Sequence, residues 1–227
     1  MPFPVRAAAA VLLVALAARA DAQPVRQFAE PAAPKVVELG HGRYRVGRVK
    51  LDRPHARLWA RGTVLRDAPP LEYLAVGRKG DKSYEALVEL AAEPIEFNLA
   101  CILLGLDAAH ARVAERHFDP EPVTGDRVRV TVAWRTPEGT VRRVDAADLV
   151  ALGDATLARG EWIYTGSTFF PDGRYAAQAE GPIVGFVHDP APIIEHRTGL
   201  RGHFDDAGPN TKLAPPGATR VTRMVAR

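Results

Sequence analysis

Apolar and polar residues alternate over many short stretches of this chain. In "RVRVTVAW", residues 127–134, every second residue is Val or Trp, and Arg, Thr or Ala lies between them. Because successive side chains of a strand point to opposite faces, this pattern predicts a strand with one buried face. The turn residues "TPEG" come next, so "RVRVTVAW" and "TVRRV" are predicted to form a hairpin.

Other stretches share this strand-like character. "RYRVGRVKLD", "ARLWARGTVL" and "LEYLAV" are rich in β-branched and aromatic residues and are bounded by Gly and Pro, which is typical of strands. A second hairpin is predicted around "FPDGR". The stretch "GRKGDKS" is not a phosphate loop, because the two glycines are too close and Asp81 precedes Lys82. It is predicted to be a hairpin turn that joins "LEYLAV" to "SYEALVEL".

One segment, "PIEFNLACILLGL", has helical periodicity. The apolar spacing i, i+4, i+7, i+8 and i+11 is held by Ile95, Leu99, Ile102, Leu103 and Leu106. Pro94 suits the first turn of a helix, and Gly105 can end it in a left-handed conformation. The predicted fold class is therefore α+β: a β-rich single domain of antiparallel hairpins packed with one main buried helix, about residues 94–105.

The N-terminus is typical of a secretory signal peptide. Arg6 precedes a short apolar run, and Ala20-Asp21-Ala22 forms a cleavage site, so residues 1–22 are predicted to be removed near Ala22-Gln23. The apolar run is shorter than the roughly 20 residues that a membrane span needs. An uncleaved anchor is the alternative. We expect the mature chain to be extracytoplasmic, periplasmic or secreted, with no transmembrane segment. A Pro/Ala-rich linker or N-terminal arm is expected at residues 23–42 and a single domain at residues 43–227.

Net charge and cysteine content limit the kinds of partner and metal site that this chain can have. The formal net charge is +3, which is nearly neutral for 227 residues and does not favour a nucleic-acid partner. Pairs such as Arg142-Arg143 are interpreted as solvated strand positions. Cys101 is the only cysteine, so an internal disulfide and a Cys-ligated iron–sulfur or zinc site are excluded. No cofactor is expected.

Several segments, in order, resemble the YdjY-domain family of bacterial extracytoplasmic proteins. The matching pieces are "LEYLAV" with "KSYEALVEL", "IEFNLACILLGL", "EWIYTGS", "GPIVGFVHDP" and an Asn before "APPGATRV", which together cover about residues 60–226. The resemblance implies an extracytoplasmic single domain and no particular reaction. Some relatives carry a ferredoxin-like iron–sulfur module. This chain has a lone cysteine, so no electron-transfer role is expected.

Two sets of residues are candidates for chemistry. The candidate ligand-binding residues are Tyr84, Glu85, Ser167, Asp189 and Asn210, and the candidate metal ligands are His188, His196 and His203. A carboxylate facing a cleft can act as an acid, a base or a ligand, and His with carboxylates suits zinc or copper. The alternative for each is a structural role on a strand or loop. Trp59, Trp134 and Trp162 are interpreted as core residues.

The predicted function is a secreted or periplasmic binding domain whose partner is another protein or a cell-envelope component. Its strands offer edges for strand addition, and no connected catalytic set is visible. Two alternatives stay open. One is an extracytoplasmic hydrolase that uses Glu85 with C-terminal His and Asp residues. The other is a carrier of a metal or small ligand.

Overall fold

The computed structural model describes residues 33–65, 70–151, 157–200, 207–210, 212–213, 215 and 219–226. The strands in these ranges are β1 (Val36–Gly40), β2 (Arg43–Val46), β3 (Val49–Asp52), β4 (Arg57–Val64), β5 (Tyr73–Val76), β6 (Ala86–Leu90), β7 (Asp126–Arg135), β8 (Val141–Asp145), β9 (Val150–Ala151), β10 (Trp162–Tyr164), β11 (Pro182–Gly185), β12 (Ile194–His196), β13 (Gly208–Pro209) and β14 (Arg220–Ala226). The α-helices are α1 (Pro94–Leu104) and α2 (Ala176–Glu180), and 3₁₀ helices span Asp81–Glu85 and Ala146–Leu149.

Eight strands close into a barrel. Their order around the barrel is β4-β14-β7-β10-β12-β11-β5-β6, and pairing of β6 with β4 completes the ring. Strand β14 lies between β4 and β7, where Val225 is opposite both Leu58 and Val130. Closure therefore depends on pairing between strands that are far apart in the sequence.

The strand prediction for residues 127–134 is confirmed. Val128, Val130, Val132 and Trp134 are buried, whereas the arginines at 127 and 129 are exposed. The predicted hairpin with β8 is confirmed as well, with Arg135 opposite Val141. Branched side chains fill the barrel interior from alternate positions, as a sheet with one buried face requires.

The predicted α+β class is wrong. The structure is 39% strand and 15% helical. Eight strands form a closed barrel, and α1 is the only substantial helix among the described residues. The molecule is therefore a mostly-β barrel. The alternation within each strand is visible in the sequence. It does not reveal that β4 and β14, the first and last barrel strands along the chain, pair with each other.

Helix α1 begins at Pro94 and ends before Gly105, which has a φ of 95°, as the sequence predicted. The sequence predicts a helix that is buried on most of its surface, with Phe97, Ala100 and Leu104 widening the apolar face, and Ile102 departs from this prediction. Phe97, Ala100, Cys101 and Leu104 are buried, whereas Ile102 is 52% exposed. In the described part of the chain, no helix is long and apolar enough to cross a membrane.

The predicted hairpin around "GRKGDKS" is also wrong. Strands β5 and β6 run parallel, with Tyr73 opposite Ala86. Parallel neighbours need a crossover between them, and the connection at residues 77–85 supplies it with the 3₁₀ helix Asp81–Glu85. Tyr84 and Glu85 therefore lie in a helical turn and not on a strand.

The sheet forks at β4. On one edge of β4, the residues Arg57–Trp59 pair with β3, and Gly62–Val64 pair with β6. A Cβ atom at Gly62 would lie 2.5 Å from the carbonyl oxygen of Glu89, so a glycine is required where β4 meets β6. The branch β3-β2-β1 extends away from the barrel, and β1 takes in residues from the stretch predicted as a linker.

Candidate functional site

A groove rich in cationic side chains crosses the outer face of the sheet at the fork. It has two adjoining parts of about 720 and 380 Å³, which share Arg48, Arg61 and Ala91. The cationic residues that line it are Arg45, Arg48, Lys50, Arg61, Arg78, Arg135 and Arg220. We call this feature the cationic groove.

Strand geometry explains why these side chains face outward together. Along β4, Leu58, Ala60, Gly62 and Val64 are buried, and the residues between them point away from the barrel. Pairing of β4 with β14 places Arg220 opposite Thr63, and Thr222 opposite Arg61. The register of paired strands thus collects charges that are scattered in the sequence.

Most of these cations have no ion-pair partner within the described part of the chain. Among the described residues, Arg78 is the only cationic residue of the groove in an ion pair, which it forms with Glu93 at 2.8 Å. The hydrogen bond and charge of Glu93 raise the pKa of the Arg78 guanidinium. Some arginines elsewhere are paired, such as Arg112 with Asp119 and Arg127 with Glu161. The other six cationic residues of the groove have no ion-pair partner among the described residues.

The groove lining has little acidic character. Glu89 is the only carboxylate among the described lining residues, and its Oε2 accepts a hydrogen bond from the backbone N–H of Lys79 at 3.1 Å. Clusters of one sign of charge in a concave surface attract ligands of the opposite sign. Arginine binds carboxylate, sulfate and phosphate groups through its planar fork of N–H donors. The groove is suited to an anionic ligand.

The structure brings two of the predicted ligand-binding residues into one polar cluster. Asp189 accepts a hydrogen bond from the Tyr73 hydroxyl at 2.6 Å, and Glu85 forms an ion pair with Lys82 at 3.2 Å. Lys82 lies over the Tyr73 ring, 6.0 Å from its centroid, and so connects the two pairs. We call Tyr73, Lys82, Glu85, Asp189 and Glu195 the buried polar cluster. Tyr84, beside it, is 58% exposed.

Burial dominates the electrostatics of this cluster. It raises the pKa of the Glu195 carboxyl well above its usual value, although the hydrogen bond from the Asp189 backbone N–H lowers this pKa in part. Burial and then the charge of Asp189 raise the pKa of the Tyr73 hydroxyl. Burial lowers the pKa of Lys82, but the hydrogen bond and charge of Glu85 outweigh it, so that this pKa is raised overall. Tyr73 and Lys82 therefore keep their protons at neutral pH.

The remaining predicted ligand residues make local structural contacts. The Ser167 hydroxyl oxygen accepts a hydrogen bond from the Ala177 N–H at 3.2 Å, at the start of α2. Asn210 Oδ1 accepts one from the Lys212 N–H at 3.2 Å, and the Asn210 N–H donates to Leu149. Neither residue hydrogen-bonds to Glu85 or Asp189 among the described residues.

The described histidines of the metal prediction have their ring nitrogens engaged. His188 Nδ1 is 2.8 Å from the Asp119 carbonyl oxygen, and its Nε2 is 3.0 Å from that of His196. His196 Nε2 donates to the Ala158 carbonyl at 2.9 Å, and burial lowers the pKa of this ring. In the described ranges, no three His, Cys, Asp or Glu side chains are grouped to hold a metal ion. His203 lies outside those ranges, so the metal site stays a prediction.

Sequence reasoning missed the cationic groove and the outward position of Trp59. Trp134 and Trp162 are buried, as expected, but Trp59 is half-buried on the outer face of β4 and lines the groove. The sequence does carry a signal, since "RLWARGTV" alternates small or apolar residues with Arg and Trp. That the outward positions of several strands meet in one groove follows only from the strand register.

Fold and site together define a closed β-barrel domain with a cationic groove on its outer face. The chain belongs to the YdjY domain family, whose model matches residues 60–225. This confirms the resemblance seen in the sequence. The matched range begins after β3, so that Arg45, Arg48 and Lys50 of the groove precede it. No curated protein and no solved structure matches the chain.

Proposed function

We propose that this chain is a non-catalytic binding domain that works outside the cytoplasm and holds an anionic cell-envelope component in the cationic groove. The observation that carries the proposal is the convergence of Arg45, Arg61, Arg135 and Arg220 from four strands without ion-pair partners among the described residues. The location rests on the signal-peptide pattern at residues 1–22.

Binding is favoured over catalysis by the composition of the groove. Its described lining offers the hydroxyls of Thr63 and Thr222 and the carboxylate of Glu89, but no histidine, cysteine or serine. Nucleophilic catalysis needs a nucleophile and a base within hydrogen-bond distance of each other. The groove instead supplies a field that attracts anions and donors that hold them.

The proposal is tested with dextran sulfate, an anionic polymer, and with neutral dextran. We expect the purified protein to bind dextran sulfate alone, and more weakly as salt rises from about 0.05 M to about 0.5 M, because salt screens exposed charges. The groove variant Arg61→Glu/Arg220→Glu is expected to lose at least about tenfold in affinity. Its control is Arg53→Glu/Arg116→Glu, which has the same net charge and replaces two exposed arginines outside the groove lining.

The control pair should bind within about threefold of the parent protein. If both double variants lose affinity equally, only net charge matters and the groove is not the site. If neither loses affinity, the proposal is wrong. A partner protein with an acidic surface, which the sequence left open, is the better explanation if the parent protein ignores the polymer but captures an acidic protein through Arg61 and Arg220.

One observation favours the alternative function, an extracytoplasmic hydrolase. Two carboxylates that are distant in the sequence lie in one cluster. Asp189 accepts a hydrogen bond from Tyr73, Glu85 pairs with Lys82, and Lys82 lies over the Tyr73 ring. Glu85→Gln separates the two functions, because it removes a carboxylate outside the groove. In a binding domain this variant keeps its affinity for dextran sulfate, and neither the parent protein nor the variant turns over ester or glycoside substrates. In a hydrolase, turnover disappears while the fold is retained.

A further inference from the structure

Trp59 is exceptional among the tryptophans because it faces outward. Its neighbours along β4, Leu58 and Ala60, are buried, whereas the indole is half-buried and lines the smaller part of the cationic groove. A large apolar ring on an outer sheet surface is not needed to fill the core. It leaves an apolar face available to a ligand.

Cations flank this indole on two sides. In the register of the sheet, Lys50 of β3 is directly opposite Trp59, and Arg45 of β2 is directly opposite Lys50. Neighbouring strands lie about 4.8 Å apart, so these three residues form a short row across the sheet. Arg61, two positions further along β4, lies on the same face about 7 Å away.

The smaller part of the groove contains no carboxylate among its described lining residues. It therefore combines a flat apolar surface with unneutralised cations a few ångströms from it. A sugar ring that carries an anionic group presents the complementary features, since its C–H face packs on an aromatic ring and its charge lies at the ring edge. A nucleotide fits less well, because the ribose separates its phosphate from the base that would stack on the indole.

We propose that the surface around Trp59 binds an acidic sugar unit, so that the cationic groove holds an acidic polysaccharide of the cell envelope. This rests on the proposed function and names its ligand class. The acidic sugar stacks on the Trp59 indole, and its anionic group is bound by Lys50 or Arg61. Neighbouring acidic units of the polymer extend along the groove toward Arg220. Trp59 is the one aromatic residue among the described residues that line the smaller part of the groove. This fits a sugar unit better than single-stranded nucleic acid, which such grooves bind through several aromatic residues on successive bases.

The test compares probes that separate charge from ring stacking. Oligogalacturonate has an acidic group on each sugar ring, its methyl ester is neutral, polyphosphate has charge without rings, and single-stranded DNA has both charge and bases. We expect the purified protein to bind oligogalacturonate and not the methyl ester. Trp59→Ala should lower the affinity for oligogalacturonate by about tenfold and leave that for polyphosphate within about twofold.

Two further variants keep the test decisive. Trp59→Tyr retains an aromatic face and should bind oligogalacturonate within about threefold of the parent protein, which a loss of fold would not allow. Trp162→Phe changes a buried tryptophan outside the groove lining and serves as the control. Melting temperatures of all variants show whether each remains folded.

The outcomes are distinct. If polyphosphate binds through Arg61 and Arg220 but Trp59→Ala weakens the binding of neither probe, the cationic groove remains an anion-binding site and the acidic-sugar assignment is wrong. If Trp59→Ala weakens both probes equally, Trp59 shapes the groove and does not stack on a sugar, which also overturns the assignment. Tighter, Trp59-dependent binding of single-stranded DNA would replace it with a nucleic-acid ligand. If no anionic probe binds, the proposed function itself fails.

Discussion

Tyr73 and Asp189 are 116 positions apart in the sequence, yet the Tyr73 hydroxyl donates a buried hydrogen bond of 2.6 Å to Asp189 Oδ2. This contact joins β5 to the loop that follows β11. It also anchors the buried polar cluster, because Asp189 donates its backbone N–H to Glu195 Oε1 at 2.8 Å. Tyr73 of β5, Asp189 of this loop and Glu195 of β12 are thus held in one buried hydrogen-bond network.

Tyr73→Phe should destabilise the protein more than Tyr164→Phe. The first change removes a donor from a buried carboxyl group, whereas Tyr164 donates to the neutral amide of Asn98 at 2.8 Å. Hydrogen bonds to charged groups contribute about 1.5–3 kcal/mol, against about 0.5–1.5 kcal/mol for neutral pairs. Urea unfolding of both variants measures the difference. Equal losses in the free energy of unfolding would show that the Tyr73–Asp189 hydrogen bond contributes no more to stability than the Tyr164–Asn98 bond.

Glu195→Gln should stabilise the protein, and more so at high pH. Glu195 is fully buried, and Oε2 has no hydrogen-bond partner among the described residues. Because burial raises its pKa in the folded state, its contribution to stability is complete below the unfolded value of 4.5 and is lost as pH rises through the folded pKa. The glutamine cannot ionise.

The measurement for Glu195→Gln is the melting temperature at pH 4 and at pH 8. The difference between variant and parent should widen toward pH 8. Glu121→Gln, at an exposed position, is the control and should show a constant difference. A pH-independent difference at Glu195 would mean that this carboxyl ionises as freely in the folded state as in the unfolded chain.

Asp119→Asn should destabilise the protein at neutral pH, and this loss should disappear below about pH 2. The backbone N–H groups of Glu115 and Glu121, followed by Arg112, lower the pKa of Asp119 to about 2. A lowered pKa stabilises the fold above the unfolded value of 3.8, and this contribution is lost as pH falls through 2. Chemical unfolding at pH 7 and at about pH 1 tests this, with exposed Asp81→Asn as the control. A loss that persists at the lower pH contradicts the prediction.

Gly62→Ala should open the barrel where β4 meets β6. The new methyl group would lie 2.5 Å from the Glu89 carbonyl oxygen, which belongs to the backbone and cannot move without breaking the pairing. Overpacking of this kind costs about 1–3 kcal/mol. Thermal unfolding measures the loss, and hydrogen exchange of the β6 amides locates it. Thr63→Ala, at the exposed neighbouring position, should change stability by less than about 0.5 kcal/mol.

The sequence by itself determined the features that depend on nearest neighbours along the chain. Alternation predicted β7 with its buried valines, and the "TPEG" turn predicted its hairpin with β8. Pro94 and Gly105 predicted both ends of α1. These features could be found because a strand repeats every two residues and a helix every 3.6, so the required pattern lies within one segment.

Only the tertiary structure decided how the segments combine. The closure of β14 against β4, the parallel pairing of β5 with β6, and the Tyr73–Asp189 bond all join residues with no local relationship in the sequence. The cationic groove has the same origin. Within its own strand, an outward arginine is interpreted as a solvated residue. It becomes part of a site only when the strand register places it beside arginines from other strands.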